Sequence, residues 1–586
     1  LANPTAASGA VDEYSTLSDA PVVAANLATM RKTRLLRLVV TGVISAVLLY
    51  LGIAAGASWP LAQAIDPVSQ PLFFVLTNFV LLAGCGLISI TTLSAGFMGL
   101  AQEPTTDSFA ALAFSGALLQ SLAYLFVPGQ YVPGKITLFA PLASLILFAS
   151  AVGKWMQIRM ICRNFDQTSS GAEHAAAFLV RKESLAKRLC AGLGEPDPVL
   201  LISRPTALVK GFLTQSFSAR LYDAMAQTLS YIISGAAVLC AVISGIVQKD
   251  VMQGISALAG ALCMIAPLAC TLVYAVPAEL MQKYASRHKA VIPGPSAVQA
   301  LGSANTVLLS ATDLFPKGSV RLHGIKTFEK ERIDLAIMYA SSILTKHCET
   351  LKDIFLGIIE NNTSILYDVE SVTVEAGYGF TGWIEHNRVI IGNREMMIHH
   401  EIEIPSMDYE RKYTKNGQYA AIYLAVSGKA FGMFLVSYAP NRGAARILNS
   451  LTRSGISVIV RSEDFNITSG LVANTYRIPQ NTVKVLAQSE YDALNVETAY
   501  RATSDGVMIH DGSCKSFLGG MRAASCAAAG EHLARNVQAG AILLSAVVCL
   551  LLSFYAGLSG MSLGLVVFYQ VAWSAITVAM PFLRRP

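Results

Sequence analysis

Residues 305–318 read NTVLLSATDLFPKG, which is an apolar run followed by a polar turn. This pattern is typical of a buried strand that delivers a loop to the edge of a sheet. Residues 455–460 (GISVIV) and 507–512 (VMIHDG) have the same form, and residues 442–454 before the second run have a helix-like sequence. Strands that alternate with helices indicate a doubly wound parallel sheet.

Polar side chains lie at the end of each of these three runs. Ser310 ends the first, Ser462–Asp464 follow the second, and the third ends in Asp511–Gly512. Sites in doubly wound sheets lie at the carboxyl ends of the strands. We therefore expect these side chains to converge at one edge of the sheet.

An inserted piece, residues 322–430, separates the first two runs. It contains glycines at 377, 379 and 382, and then the sequence VIIGN at residues 389–393. Alternating apolar residues around these glycines predict antiparallel strands within an α+β unit. The glycines are not a dinucleotide fingerprint, because they do not lead from a strand into a helix.

The composition indicates a membrane protein with charged soluble parts. Of the 586 residues, 53% are hydrophobic and only 14% are charged, whereas soluble domains average about 25% charged. The net charge of +6 is too diffuse to indicate nucleic-acid binding. Since roughly 20 apolar residues cross a bilayer, the sequence predicts eight spans, at residues 35–57, 72–97, 108–128, 136–153, 225–247, 252–281, 537–556 and 562–582.

The basic flank at residues 30–34 predicts a cytoplasmic N-terminus, because cytoplasmic flanks carry excess Lys and Arg. Eight crossings return the C-terminus to the same side. Both soluble segments, residues 154–224 and 283–535, are then cytoplasmic as well.

The order of these parts resembles a P-type ATPase of the heavy-metal-transporting (CPx) type. That family has eight spans, an actuator domain after the fourth, and phosphorylation and nucleotide-binding domains after the sixth. The resemblance implies an integral protein of a bacterial plasma membrane with a polytopic helical part, a HAD-like cytoplasmic α/β domain and an inserted nucleotide-binding-like domain. The implied membrane parts are four spans (35–153), two spans (225–282) and two spans (536–586), preceded by a loose tail (1–34). Between the first two groups of spans lies a reduced, mainly helical actuator-like segment (154–224). Between the second and third groups lies a phosphorylation-like domain (283–321 and 431–535), into which the nucleotide-binding-like domain (322–430) is inserted.

The catalytic motifs of that family are degenerate in this chain. The phosphorylated Asp falls on Ser310 and the following Lys on Ala311, whereas Thr312 is kept. The T-G-D-N motif keeps only Asp464, and G-D-G-x-N-D keeps Asp511 but ends in Lys515. A serine forms a stable ester instead of an acyl phosphate, and Asp511 alone is a weak Mg²⁺ site.

Further motifs are altered in the other parts. The actuator motif T-G-E-S has only a weak match at residues 170–173, which read SGAE. Asp313, three residues after Ser310, is interpreted as a turn-capping residue and not as a displaced nucleophile. The nucleotide-binding motifs match at positions that the resemblance makes candidates for nucleotide contact: Gly377, Gly379, Gly382, Gly392 and Asn393, with His347 as a doubtful remnant of S-E-H-P.

The transport motif Cys-Pro-Cys falls on Ala266, Pro267 and Leu268, so the proline remains but the two metal-binding thiols are lost. Pro267 is expected to leave the span unwound. Cys263 and Cys270 flank it and, on one continuous helix, would share a face. These three residues are the candidate transport path.

These substitutions predict a non-catalytic homologue, a pseudo-pump that acts as a membrane scaffold, sensor or regulator. No cofactor is expected, and the partners are the lipid bilayer and a protein on the cytoplasmic face, not nucleic acid. Two alternatives remain open. One is a divergent ATP-driven translocase of metal cations that uses Mg²⁺ and ATP. The other is a phosphohydrolase-like activity around Asp511.

Overall fold

The computed structural model describes residues 13–57, 59–170, 174–180, 182–194, 196–218, 223–328, 331–487, 490–555 and 558–584. Its first part is a bundle of apolar helices that precedes any strand. The helices are α1 (Ala20–Ala57), α2 (Pro71–Ile88), α3 (Ile90–Ala101), α4 (Thr106–Phe126) and α5 (Ala140–Thr168).

The N-terminal segment differs from the loose tail expected for residues 1–34. Residues 1–12 lie outside the described part, but Tyr14 is 1% exposed and its ring meets Phe165 edge-on at 5.2 Å. Helix α1 begins at Ala20 and passes without a break through the basic flank. Val23 and Leu27 are buried in the same cluster as Phe165. The Ala/Ser/Thr-rich composition concealed this apolar face, whose burial offsets the entropy lost when the segment becomes ordered.

The segment after α5 is not mainly helical, as the sequence led us to expect. It holds β1 (His174–Leu179), α6 (Glu183–Cys190), β2 (Leu200–Lys210) and α7 (Phe212–Ser216). Strands β1 and β2 pair as an antiparallel hairpin over the register His174–Thr206 to Leu179–Leu201. The hairpin buries Ala176, Leu201 and Ile202, and this burial stabilises β1, whose three alanines carry little β-propensity.

Five helices and two strands follow, and the first two of these helices are apolar. They are α8 (Asp223–Gln248), α9 (Val251–Ile265), α10 (Leu272–Arg287), β3 (Ala290–Val291), α11 (Pro295–Ser303), β4 (Thr306–Ser310) and α12 (Ala311–Leu314). The expected span 252–281 is therefore two helices, α9 and α10, with a break at residues 266–271. Pro267 lies in this break and has no N–H to continue the helix.

The inserted unit runs from Val320 to Tyr438, slightly wider than the expected 322–430. Its elements are β5 (Val320–Thr327), α13 (Ile333–His347), α14 (Glu349–Ile358), β6 (Glu370–Glu375), β7 (Gly379–Ile384), β8 (Asn387–Gly392), α15 (Arg394–His399), α16 (Met407–Tyr413), β9 (Ala420–Val426) and β10 (Lys429–Tyr438). The six strands form one antiparallel sheet in the order β5-β10-β9-β8-β7-β6. Helices α13 and α14 cover one face through Ile343 and Phe355, and Met396 and Met397 cover the other.

The remaining elements return to the first sheet and then to the membrane. They are α17 (Arg442–Arg453), β11 (Ser457–Arg461), α18 (Ser469–Tyr476), β12 (Val483–Val485), α19 (Tyr491–Thr498), β13 (Arg501–Asp505), β14 (Met508–His510), α20 (Cys514–Tyr555) and α21 (Leu563–Ala579). Seven helices of the described part are long and apolar enough to cross a membrane: α1, α2, α4, α5, α8, α20 and α21. Helix α20 is continuous over 42 residues from the sheet into the apolar bundle.

The first sheet has the order β12-β11-β4-β2-β1-β14-β3, and β13 pairs with the distal part of β2. Strands β12, β11, β4 and β2 are parallel, as expected for a doubly wound sheet. Strand β1 is antiparallel to both β2 and β14, so the sheet as a whole is mixed. The hairpin from the actuator-like segment is thus part of the phosphorylation-like sheet, between β4 and β14.

The replacement Gly379→Ala tests the packing of the inserted sheet. A Cβ at Gly379 would lie 2.1 Å from the carbonyl oxygen of Ile391 on β8. Because backbone atoms must shift, we expect a loss of about 1–3 kcal/mol of stability, measured as a lower unfolding temperature of the purified chain. Gly357→Ala is the control, because no heavy atom lies within 4 Å of its added Cβ. Equal stability of the two variants would contradict the prediction.

Candidate functional site

The carboxyl end of β4 is closed by its own side chains. Ser310 is the N-cap of α12, and its Oγ accepts a hydrogen bond from Asp313 N at 3.1 Å. The same Oγ lies 2.9 Å from Asp313 Oδ2 and 2.7 Å from Thr312 Oγ1, and Ser310 N donates to Asp313 Oδ2 at 2.9 Å. Asp313 therefore completes a capping box. Burial raises the pKa of Asp313, although the hydrogen bonds from Ser310 oppose the shift.

The third expected member of the site, Asp511, lies on the far side of the hairpin. Strands β2 and β1 separate β4 from β14, so three strand spacings, about 14 Å, lie between the two backbones. Asp511 accepts hydrogen bonds from Ser513 N and Oγ, and Lys289 Nζ lies 3.7 Å from it. Gly512, the residue after Asp511, nonetheless lines one cavity together with Ser310, so the convergence of Ser310 with Asp511 stays a prediction. Burial would raise the pKa of Asp511, but these hydrogen bonds and the lysine lower it overall.

A cavity of about 350 Å³ fills the fork where β2 diverges from β4, with Ser310, Asp313 and Arg461 on one side and Ser203 and His510 on the other. His510 Nε2 lies 2.8 Å from Ser203 Oγ, and His510 Nδ1 accepts from Gly512 N at 3.2 Å. Nδ1 is thus unprotonated, and Nε2–H donates to the serine. Burial lowers the pKa of His510 to about 4.

This Ser203–His510 pair had no signal in the sequence, because its members lie 307 residues apart. It is not an activated nucleophile, since a general base needs a free lone pair facing the hydroxyl. Here the lone pair of His510 faces the backbone of Gly512 instead.

Lys515, at the position of the last acidic residue of the motif, is exposed near the start of α20. Its aliphatic chain passes over Gly443 at the start of α17. Ala311 is buried at the other end of the motif. Among the residues described, no cluster of three or more His, Cys, Asp or Glu side chains could hold a metal ion.

A second cavity, of about 500 Å³, lies between the inserted sheet and the ends of β11 and β12. Its charged lining residues are Glu375, Glu463, Asp464 and Lys484. Lys484 Nζ donates to the carbonyl of Leu189 at 2.7 Å and lies 3.6 Å from Glu490. The lining is therefore acidic, which opposes the binding of a polyanion such as a nucleotide triphosphate.

Asp464 is the retained acid of this cavity and is 2% exposed. Its Oδ2 accepts from Tyr438 OH at 2.7 Å, and its Oδ1 accepts from Asn466 N at 3.0 Å. Desolvation raises the pKa of Asp464 to about 6, and these two hydrogen bonds limit the shift. The Asp464 side chain thus links the end of β10 to the loop after β11.

The glycines of the nucleotide motifs have structural roles in the β7–β8 hairpin. A Cβ at Gly392 would lie 2.4 Å from the carbonyl oxygen of Tyr378, and one at Gly382 would lie 2.9 Å from Val369. Gly377 has φ +77°, the left-handed turn conformation that favours glycine. Gly377 and Gly379 also line the acidic cavity.

The two other candidates for nucleotide contact also have partners within the inserted unit. Asn393 caps α15 by accepting from Met396 N at 3.0 Å, and its Nδ2 donates to Gly377 O at 2.8 Å. The ring of His347 lies 6.3 Å from that of Phe380. Both ends of the Asn393 amide are therefore engaged within the protein.

In the membrane part, the broken helix at Pro267 is closed by a side chain from α21. Gln570 Nε2 lies 2.5 Å from Met264 O and 3.0 Å from Ala266 O, and its Oε1 accepts from Leu268 N at 3.2 Å. The polar groups that the break exposes are thus bound within the protein. The cavity beside Pro267 is only about 10 Å³, roughly the space of a single water molecule.

The two cysteines beside the break do not share a helix face, contrary to expectation. Cys263 belongs to α9, whereas Cys270 lies within the break at residues 266–271. Both are fully buried, and Cys263 Sγ lies 3.5 Å from Ala113 O. The geometry is that of small packed side chains.

Comparisons with known proteins support the resemblance. The chain is 21% identical over 223 residues to a copper-exporting P-type ATPase of Staphylococcus haemolyticus, a match that covers 38% of this chain and 27% of that protein. The predicted resemblance to the heavy-metal P-type ATPases is confirmed. The chain spans about a quarter of the length of this relative, and no family model matches it.

Among solved structures, a zinc-transporting PIB-type ATPase in the E2.Pi state is similar with a TM-score of 0.47 and 12% identity, over 94% of this chain and all of that chain. The same type of ATPase in a second state of its cycle gives a TM-score of 0.44 and 13% identity, over 92% of this chain and 99% of that chain. The described part of the chain combines seven helices that are long and apolar enough to cross a membrane with a mixed sheet and an antiparallel sheet.

Asp464 should make stability depend on pH. Its raised pKa means that the protonated form stabilises the fold fully below about pH 4, and that this stability is lost as the pH rises through about 6. The shift corresponds to roughly 3 kcal/mol. In thermal unfolding at pH 4.5 and 7, the stability of the protein relative to Asp464→Asn should fall at the higher pH.

Asp511→Asn is the matched control for this titration. Because the pKa of Asp511 in the folded protein is lowered, ionised Asp511 loses its stabilising effect only below pH 3.8, the ordinary pKa of the group. The difference in stability between Asp511→Asn and the unmodified protein should therefore stay constant between pH 4.5 and 7. A constant difference for Asp464→Asn would contradict the prediction.

Gln570→Leu should destabilise the membrane part. The change leaves the carbonyls of Met264 and Ala266 without their partner, at a cost of about 1–3 kcal/mol each. The unfolding temperature in detergent is the measurement. Gln538→Leu is the control, because Gln538 is equally buried and its Nε2 has no hydrogen-bond partner among the described residues. A comparable loss in both variants would contradict the prediction.

Proposed function

We propose that this chain is a non-catalytic P-type ATPase homologue that acts as a membrane scaffold, sensor or regulator. The observation that carries the proposal is the hairpin between β4 and β14. Strand β1 pairs with β14 from Ala175–His510 to Ala177–Met508, and β2 pairs with β4 at Leu200 and Leu201. The actuator-like segment is therefore hydrogen-bonded into the phosphorylation-like sheet.

A transport cycle requires at least two global states with different contacts for each ligand. In this chain, movement of the actuator-like segment away from the sheet would break the pairing of β1 with β14 and of β2 with β4. The exposed β14 backbone groups would then need new partners. The arrangement favours one dominant conformation, which suits a scaffold or a sensor better than a pump.

The chemistry of Ser310 supports the same proposal. Phosphoryl transfer depends on positioning and on neutralisation of charge by Mg²⁺ and cations. Ser310 is held in a capping box, Ala311 supplies no charge, and Asp511 lies beyond the hairpin. The acidic cavity between the two sheets opposes ATP. Cytoplasmic termini and a protein partner on the cytoplasmic face complete the proposal.

Incubation of the purified full-length chain with labelled ATP and Mg²⁺ tests the absence of catalysis. We expect no acid-stable, hydroxylamine-sensitive phosphoprotein and no vanadate-sensitive ATP hydrolysis above background. Ser310→Asp should not restore labelling, because Ala311 supplies no cation beside position 310 and Lys515 places a positive charge where the motif has an acid. Ser310→Asn is the isosteric control for Ser310→Asp.

Vanadate-sensitive hydrolysis by the unmodified chain would favour the divergent cation translocase instead. Vanadate-insensitive phosphatase activity that is lost in Asp511→Asn would favour the phosphohydrolase alternative. Hydroxylamine-sensitive labelling of Ser310→Asp would contradict the proposal, because it would show that the missing carboxylate at position 310 is the only barrier to phosphorylation.

A further inference from the structure

A third cytoplasmic cavity, of about 560 Å³, lies between the β1–β2 hairpin and the elements α19 and β13. It shares no lining residue with the cavity beside Ser310 or with the acidic cavity. No motif of the sequence marks it. Its charged lining residues are four cations and two acids, namely Lys182, Arg204, Lys210, Arg501, Glu497 and Asp505.

The register between β13 and β2 gathers much of this charge on one face of the sheet. Arg501 is paired with Thr206 and Asp505 with Lys210. Side chains of paired residues lie on the same face, and alternate residues of β2, including Arg204, also share that face. Thr503, opposite Leu208, adds a hydroxyl group there.

Arg204 is the fixed centre of the cavity. It is 4% exposed, and its guanidinium carbon lies 3.8 Å from the centre of the Phe178 ring. One of its terminal nitrogens lies 3.4 Å from Glu497 Oε2, which is a long contact. The buried Nε has no hydrogen-bond partner among the residues described. Burial and the positive charge of Arg501 lower the pKa of Arg204, although the charges of Glu497 and Asp505 oppose the shift.

The single long contact with Glu497 leaves the buried Nε–H of Arg204 unused, and the cavity lining carries two more cations than acids, so an anion can bind beside Glu497. Guanidinium groups bind phosphate oxygens through paired N–H donors, and lysine adds charge without that geometry. The volume is within the range of small-molecule sites and exceeds the need of one inorganic anion. We propose that this cavity binds the phosphate group of a phosphorylated molecule, with Arg204 and Arg501 as its principal ligands.

The experiment uses the full-length chain in phosphatidylcholine nanodiscs at constant ionic strength set with chloride. One arm adds inorganic phosphate or glycerol 3-phosphate, and a second replaces part of the lipid with phosphatidic acid without any soluble phosphate. The readout is the unfolding temperature, with phosphorus NMR line broadening for the soluble ligands. A rise with soluble phosphate assigns the site to free phosphate esters, and a rise with phosphatidic acid alone assigns it to a lipid headgroup.

Arg501→Gln is the test variant, because Arg501 is exposed and its loss leaves the core intact. We expect it to weaken phosphate binding at least tenfold. Arg453→Gln removes an exposed arginine at the end of α17, outside the cavity, and should bind as the unmodified chain does. Equal binding by Arg501→Gln and Arg453→Gln, or no response of the unmodified chain in either arm, would overturn the proposal. The result is independent of the labelling experiment with ATP.

Discussion

Strand β1 pairs with β14, and β2 pairs with β4. Strands β1 and β2 precede helices α8 and α9 in the sequence, whereas β4 and β14 follow them, so the pairing joins two separate segments of the chain. The hydrogen bonds of a strand ladder satisfy backbone groups that would otherwise be buried without partners. Because β14 pairs with β1 on one side and with the two-residue β3 on the other, the sheet depends on the hairpin for its continuity. Because β2 and β1 lie between β4 and β14, they set how far apart the carboxyl ends of those two strands are.

Polar groups at the motif positions are bound internally. Ser310 caps a helix, Asp464 accepts from Tyr438, and Asn393 joins two turns of the inserted unit. Gln570 does the same for the broken helix in the membrane. A site for phosphoryl transfer needs charged groups that are available to Mg²⁺ and phosphate. In this chain Ser310, Asp464 and Asn393 bind within the protein and stabilise a cap, a loop and two turns.

Three strands of the first sheet were predicted from short apolar runs in the sequence, because each run ends in a polar turn. The run at residues 305–310 corresponds to β4, that at 455–460 to β11, and that at 507–512 to β14. The antiparallel strands around Gly379 and the break at Pro267 were predicted for the same reason. The fold class could therefore be predicted from the spacing of apolar residues, from the glycines around Gly379, and from the inability of Pro267 to continue a helix.

Long-range pairing could not be predicted in this way. Strand β1 reads HAAAFL, whose three alanines carry little β-propensity, and its partners on β14 are more than 300 residues away. The partner of the Pro267 break, Gln570, is equally remote in sequence. The break also separates Cys263 from Cys270, which a continuous helix would have aligned. Strand order is a property of the whole sheet, so the insertion of β2 and β1 between β4 and β14 had no local signal in the sequence.

Helix α20 has a mechanical consequence. It runs without a break from the cytoplasmic sheet into the apolar bundle, and 42 residues at 1.5 Å each make a rod of about 63 Å. A rod of that length that pivots by about 10° at one end moves its other end by roughly 11 Å. A small change of tilt in the bilayer, such as a change in membrane thickness produces, would thus be amplified into a displacement of the whole cytoplasmic sheet.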